Sequence, residues 1–138
     1  MVHDVKTTIR SRSWRERGQA LLEFALVVPI FLVLVFGIVD FGMGLKAWIT
    51  ITNSAREGAR IGAVGASCDD IKQRAVYTSA DLLTLSDVSV QNCQGDPGGS
   101  VVVSVAYDYE YITPLGSFVE GLSGGPLHME ASSDMRLE

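Results

Sequence analysis

The sequence predicts an α+β protein: a long N-terminal transmembrane helix extending into a small extracytoplasmic domain, with one further helix and an antiparallel sheet of about three strands. Three observations carry that expectation. Residues Ala20 to Val39 are apolar apart from Glu23, with one imino acid, Pro29, and such a run is about as long as a helix needs to cross a hydrocarbon core. Beyond it, helical spacing of apolar residues persists to about Val64. Two late stretches, Val101 to Ile112 and Leu127 to Glu138, alternate with a period of two. A chain of 138 residues has room for one small domain beside a membrane segment.

In chain order, residues 1–18 come first and carry Lys6, Arg10, Arg12, Arg15 and Arg17 against Asp4 and Glu16, a net +3. Residues 19–138 carry six basic against fourteen acidic side chains, a net -8 within the total of -5. Lys and Arg favour the cytoplasmic side of a span, and only Lys46 follows the run within the next fifteen residues. The N-terminus is therefore expected inside as a basic cytoplasmic leader, with the rest outside the inner membrane. The run is too long for a secretory signal, no A-x-A site follows Val39, and the leader holds no twin-arginine pair. An acidic chain beyond the leader argues against nucleic acid as a partner.

Glu23 is the anomaly of the span, because an acid inside a membrane segment is costly and so marks function. The plain alternative is an ordinary anchor whose carboxylate reaches the headgroups. Gly18 stands at the junction of basic leader and apolar run, Glu23 is the fifth residue after it, and Phe24 follows. This arrangement resembles the class III signal of type IV pilin-like proteins. The resemblance implies cleavage by a prepilin peptidase between Gly18 and Gln19, with Glu23 pairing with the new terminal amine during assembly. A buried charge becomes tolerable when it acquires an opposite partner.

Past the span, Leu45, Trp48, Ile49, Thr52, Ala55, Ala59 and Ala63 recur at spacings of three and four, with Lys46, Asn53, Glu57 and Arg60 on another face. A helix over 19–66 would reach roughly 70 Å, more than twice a hydrocarbon core, so its outer half must pack on something. Gly58 and Gly62, among Ala55, Ala59 and Ala63, form a small-residue surface for close backbone approach. It suits either another protein's helix or the chain's own C-terminal domain. A Glu57–Arg60 pair is worth only about 0.3 to 0.5 kcal/mol on a helix surface.

Four stretches taken together carry a more specific resemblance: the Gly18 to Glu23 junction, Glu23-Phe24-Ala25 leading to Pro29, Asp40-Phe41-Gly42, and Asn53-Ser54-Ala55-Arg56-Glu57-Gly58-Ala59-Arg60. In order and spacing they resemble the TadE-like minor pseudopilins of tight-adherence (Tad, or Flp-type) pilus systems, over roughly residues 15 to 65. The resemblance implies a non-catalytic assembly component. Its partners would be prepilin peptidase, other pilin-like subunits, the pilus assembly platform and the membrane. The later chain matches only in its general order of elements.

Gly62, Gly65 and Ser67-Cys68-Asp69-Asp70 break the long helix and start another, capped by Ser67 or Asp69 and favoured by Asp70 in its first turn. Ile71, Ala75, Val76, Leu82, Leu83 and Leu85 give a partly amphipathic helix of about a dozen residues. A short strand is expected over Val88 to Gln91, and Gln94 to Gly99 reads as a turn. The strand from Val101 ends at Pro114, residues 115–126 read as a Gly-rich loop, and the final strand runs antiparallel to the first. The expected division is thus 1–18, 19–66 and 67–138.

Cys68 and Cys93 both fall outside the membrane in this orientation, and an oxidising compartment favours a disulfide over two free thiols. Closing that loop contributes about 3.5 kcal/mol in the chain-entropy model. No second ligand pair accompanies them, which argues against a metal site. Gly121-Leu122-Ser123-Gly124-Gly125 matches G-x-S-x-G, but Pro126 follows at once and no helix pattern begins there. His128, the only histidine after Gly18, lies in a strand pattern away from an evident acid pair. Asp96 and the Asp69–Asp70 pair lack the spacing of a calcium loop. No catalytic residue, cofactor, metal or small-molecule substrate is expected. Two functions compete: a pilus assembly component, and an unprocessed bitopic protein whose outer domain binds a partner or the envelope. Gly18 and Glu23 favour the first.

Overall fold

A computed structural model describes residues 13–96 and 98–137, with side-chain surroundings from Gly18 onward. The leader charges Asp4, Lys6, Arg10 and Arg12 lie outside the described residues, as do the side chains of Arg15, Glu16 and Arg17. Two compact units divide the chain, one up to Val35 and one from Phe36 onward. Helix α1 spans Ser13–Ala63 and takes Pro29 into its interior. Its N-terminal part is long and apolar enough to cross a membrane. Among the described residues of the first unit none of the apolar side chains is buried, and Leu22, Phe24, Leu26, Ile30 and Phe31 are exposed.

In the second unit the helix buries a different face from the one its large apolar residues suggest. Leu45, Trp48 and Ile49 are 45 to 52 % exposed, whereas Ala47, Ile51, Ser54, Ala55 and Ala59 are buried. The reason is proximity. A Cβ added at Gly62 would stand 3.0 Å from Ile71 and Val101, and one at Gly58 would stand 3.3 Å from Val103. Such close approach leaves room only for small side chains around Gly58 and Gly62, where Ala55 and Ala59 lie, so volume outweighs hydropathy at that end of the face, while Ile51 is fully buried farther back. The two glycines receive the chain's own second helix and central strand.

Helix α2, Cys68–Thr78, starts where Ser67 Oγ accepts the Asp70 N–H. Its eleven residues agree with the expected dozen, but Leu82, Leu83 and Leu85 of the expected pattern lie beyond its end. Ser79 closes it, Ala80 and Asp81 take positive φ values of 49° and 67°, and Leu85 lies in a single 3-10 turn, Leu85–Asp87. Leu83 still reaches the core, delivered by the loop rather than by the helix.

Strands β1 (Val88–Gln91), β2 (Ser100–Tyr109) and β3 (Leu127–Arg136) form one antiparallel sheet in the order β1-β2-β3. Val90 lies opposite Val103, and Val105 opposite Ala131. The period of two places Val101, Val103, Val105 and Tyr109 on the face that packs against Ile51, Ala55, Ile71 and Ala75, with Met129 and Ala131 beside them. β2 ends at Tyr109, three residues before the expected end.

The α+β class holds, but the stretch expected to be a loop over 115–126 contains a third helix. Helix α3 spans Pro114–Ser123. Thr113 caps it by accepting the Gly116 N–H, Pro114 occupies its first turn, and Gly124 ends it at φ 88° with its N–H bonded to the Glu120 carbonyl. Pro114 thus starts a helix as well as following a strand.

Candidate functional site

The junction residues share one stretch of α1 in the first unit. Gly18 and Gln19 are exposed, and the Gln19 side-chain amide donates to Glu23 Oε1 at 3.1 Å, across one helical turn. Phe24 is 67 % exposed. The carboxylate of Glu23 therefore stands beside the residue that precedes it by four, on an otherwise apolar surface.

In the second unit, the residue just beyond the apolar run is a structural hub. Asp40 is only 7 % exposed. Its Oδ1 accepts the backbone N–H groups of Ile112 and Thr113, each at 3.1 Å, and its Oδ2 accepts the Thr113 hydroxyl. Thr113 Oγ1 in turn accepts the Gly116 N–H at 3.2 Å, and the Tyr109 hydroxyl donates to the Asp40 carbonyl at 3.2 Å. One side chain of α1 thereby ties down the chain leaving β2 and the cap of α3. Burial pushes the Asp40 carboxyl up, but the donors from Thr113, Ile112 and Gly116 together outweigh it and hold it below the usual range. Burial and then the Asp40 charge push the Tyr109 phenol up. Gly116 is obligatory in this arrangement: a Cβ there would fall 2.3 Å from Tyr111 Cβ.

The sequence marked Asp40 only within the Asp40-Phe41-Gly42 stretch of the family resemblance, never as an acceptor for Thr113. The available signal was Thr113-Pro114, a cap followed by a helix-starting proline. Beside this hub a cavity of about 580 Å³ opens, walled by Gly37, Phe41 and Leu45 of α1 and by Leu115 and Val119 of α3.

Glu57 joins α1 to α2. Its carboxylate accepts two bonds from Arg60, both 2.9 Å, and two from Arg74, at 3.0 and 2.7 Å. Only Arg60 was evident from spacing, since Arg74 lies seventeen residues away. Hydrogen bonds from Arg60 and then Arg74 hold the Glu57 pKa down to about 2. A depressed carboxylate contributes stability that is present above its unfolded pKa of about 4.5 and lost as pH falls through about 2. The stability gap between the natural chain and Glu57→Gln is therefore expected to be constant above pH 5 and to close on approach to pH 2. Denaturant midpoints measured across that range check it; a gap independent of pH contradicts the assignment. The neighbouring Ser54 hydroxyl is buried without a hydrogen-bond partner among the described residues, a cost the close helix packing imposes.

Cys68, at the start of α2, is bridged to Cys93, just after β1, with Cα atoms 5.4 Å apart. Asp70 accepts the Ser67 hydroxyl, a capping role. Among the described residues no group of three His, Cys, Asp or Glu side chains gathers as a metal site. Ser123 ends a helix rather than starting one, and its hydroxyl donates to the carbonyls of Glu120 and Gly125. His128 does have an acid partner, contrary to expectation: β-sheet register sets it opposite Asp108, with Nδ1 2.6 Å from Oδ1. Both are well exposed, so the pair contributes at most about 1 kcal/mol.

Compared with known proteins, residues 18–60 match the family model described as TadE-like protein. The matched segment begins at Gly18 and includes Glu23, Asp40 and the 53–60 stretch. No curated protein and no solved structure matches the chain.

Proposed function

Because the chain is TadE-like over residues 18–60, we propose that it is a minor pseudopilin, a non-catalytic component of tight-adherence pilus assembly. Association with Tad-type pili is the part that the family match itself supports. In the proposed cycle the basic leader stays cytoplasmic while residues 20–39 cross the inner membrane. Prepilin peptidase cuts between Gly18 and Gln19, and Glu23 then neutralises the freed ammonium of a pilin-like helix as α1 docks among other subunits at the assembly platform.

The observation that carries this reading is the coincidence of three features. The family match starts at Gly18, the basic-to-apolar junction falls there, and an acid sits at the fifth residue of the resulting chain. The contact between the Gln19 and Glu23 side chains supports it, because a carboxylate on that face lies near the residue that would carry the new amine. Docking supplies the opposite charge that an acid in an apolar setting requires.

The test is the intact mass and N-terminal sequence of the membrane-extracted chain, made with and without a prepilin peptidase. The expected result is a peptidase-dependent terminus at Gln19. A chain that still starts at Met1 in the presence of active enzyme overturns the proposal. Glu23→Gln is expected to be cleaved and inserted normally yet to assemble poorly, and normal assembly would remove Glu23 from the mechanism.

A further inference from the structure

We propose that α3 is an interfacial helix, whose Phe118 and Leu122 face rests in the outer surface of the same bilayer that residues 20–39 cross, with phospholipid as its partner. The proposal rests on the membrane-spanning reading of that run. It does not depend on cleavage or on a pilus.

The pattern of α3 comes first. Its large apolar residues, Leu115, Phe118, Val119 and Leu122, recur at helical spacing, and Glu120 is its only charged side chain. Leu115 and Val119 face the cavity shared with α1. Phe118 and Leu122 instead point outward, 65 and 75 % exposed, and Ile112 just before the helix is 61 % exposed. A short helix of this composition has no evident reason to present such residues to water.

Its position supplies the occupant. Leu115, Gly116 and Val119 wall the same cavity as Gly37 and Phe41, and the Asp40 carboxylate holds the cap of α3 through Thr113. Gly37 lies inside the apolar run and Asp40 is the first residue past it, so the first turns of α3 stand level with the end of the span. The headgroup layer on each side of a bilayer is roughly 5 to 8 Å deep. At 1.5 Å per residue, the exposed Phe41 lies about 3 Å and Leu45 about 9 Å beyond the end of the run, so Phe41 falls within that layer and Leu45 at its outer edge, whereas Trp48, about 13 Å out, lies beyond it. Within the second unit the apolar surface thus continues from Gly37 and Phe41, at the end of the run, onto Leu115 and Val119 of α3. That continuity favours lipid over a second protein.

The experiment uses the full-length chain in phosphatidylcholine vesicles at low protein density, with or without acyl chains brominated near the headgroup. Phe118→Trp and Leu122→Trp each add an emitter on the exposed face, and Tyr77→Trp, at an 80 % exposed site on α2, is the control. Emission of the unmodified chain, from Trp14 and Trp48, is subtracted. The brominated lipid is expected to quench the added emission of both α3 variants by about twofold and to leave the control unchanged, as for side chains seated at the acyl boundary. Quenching no greater than the control, in chains that still resist carbonate extraction, overturns the proposal. So does quenching replaced by chain-to-chain crosslinking through α3, which would make a second copy the occupant. Release by carbonate would overturn it differently, by removing the span on which it rests.

Discussion

Asp40→Ala is expected to destabilise the second unit by about 3 kcal/mol. The substitution removes the acceptor for the Ile112 and Thr113 N–H groups and for the Thr113 hydroxyl, all in a nearly buried site. Each donor left without a partner costs about 1 to 3 kcal/mol, and water entering the enlarged site recovers part of that. Asp40→Asn keeps one acceptor oxygen and so is expected to lose less than half as much. Urea unfolding of the full chain in micelles, followed by tyrosine fluorescence, measures the difference. Amide exchange adds a local readout: Ile112, Thr113 and Gly116 should lose protection in Asp40→Ala while Val103 keeps it, because the sheet remains paired. An Asp40→Ala midpoint within about 0.5 kcal/mol of the natural chain would mean that the carboxylate hub contributes little.

The Cys68–Cys93 bridge is the second large contribution. The cysteines are 25 residues apart, and closing a loop of that length restricts the unfolded chain by about 3.5 kcal/mol in the chain-entropy model. The loop contains all of α2 and β1, the two elements that complete the core against α1 and β2. A domain of this size buries too little surface to lose that constraint cheaply. Cys68→Ser with Cys93→Ser, or a reductant acting on the natural chain, should therefore lower unfolding stability by about that amount. The same experiment bears on topology. Thiols facing an oxidising compartment should resist alkylation in whole cells until reduced, whereas full alkylation without reductant would place the domain in a reducing compartment or leave the bridge unformed.

Much of the architecture follows from local sequence because the forces involved are themselves local or one-dimensional. A bilayer imposes length and composition on a run such as Ala20 to Val39. A half-buried strand imposes alternation on Val101 to Tyr109 and on Leu127 to Arg136, which is why strand identity and the antiparallel pairing were legible. The family resemblance drawn from Gly18 to Arg60 was legible for a similar reason: its residues lie along one helix, in fixed order.

What escaped the sequence depends on partners far away along the chain. Arg74 reaches Glu57 across seventeen residues, and Asp40 reaches Thr113 across 73. The loop expected after Pro114 is a helix because its cap is held by that distant carboxylate and its Gly116 lets the backbone close against Tyr111. Likewise, the large apolar Leu45, Trp48 and Ile49 are half-exposed, whereas Ala47, Ile51 and Ala55 are buried. The sequence by itself determined the apolar span, its charged junction and the strands, since each is specified by periodicity and transfer free energy along a single segment. Only the tertiary structure decided the third helix, the buried face of α1 and the role of Asp40, because steric fit and hydrogen-bond satisfaction exist only once separate segments have met.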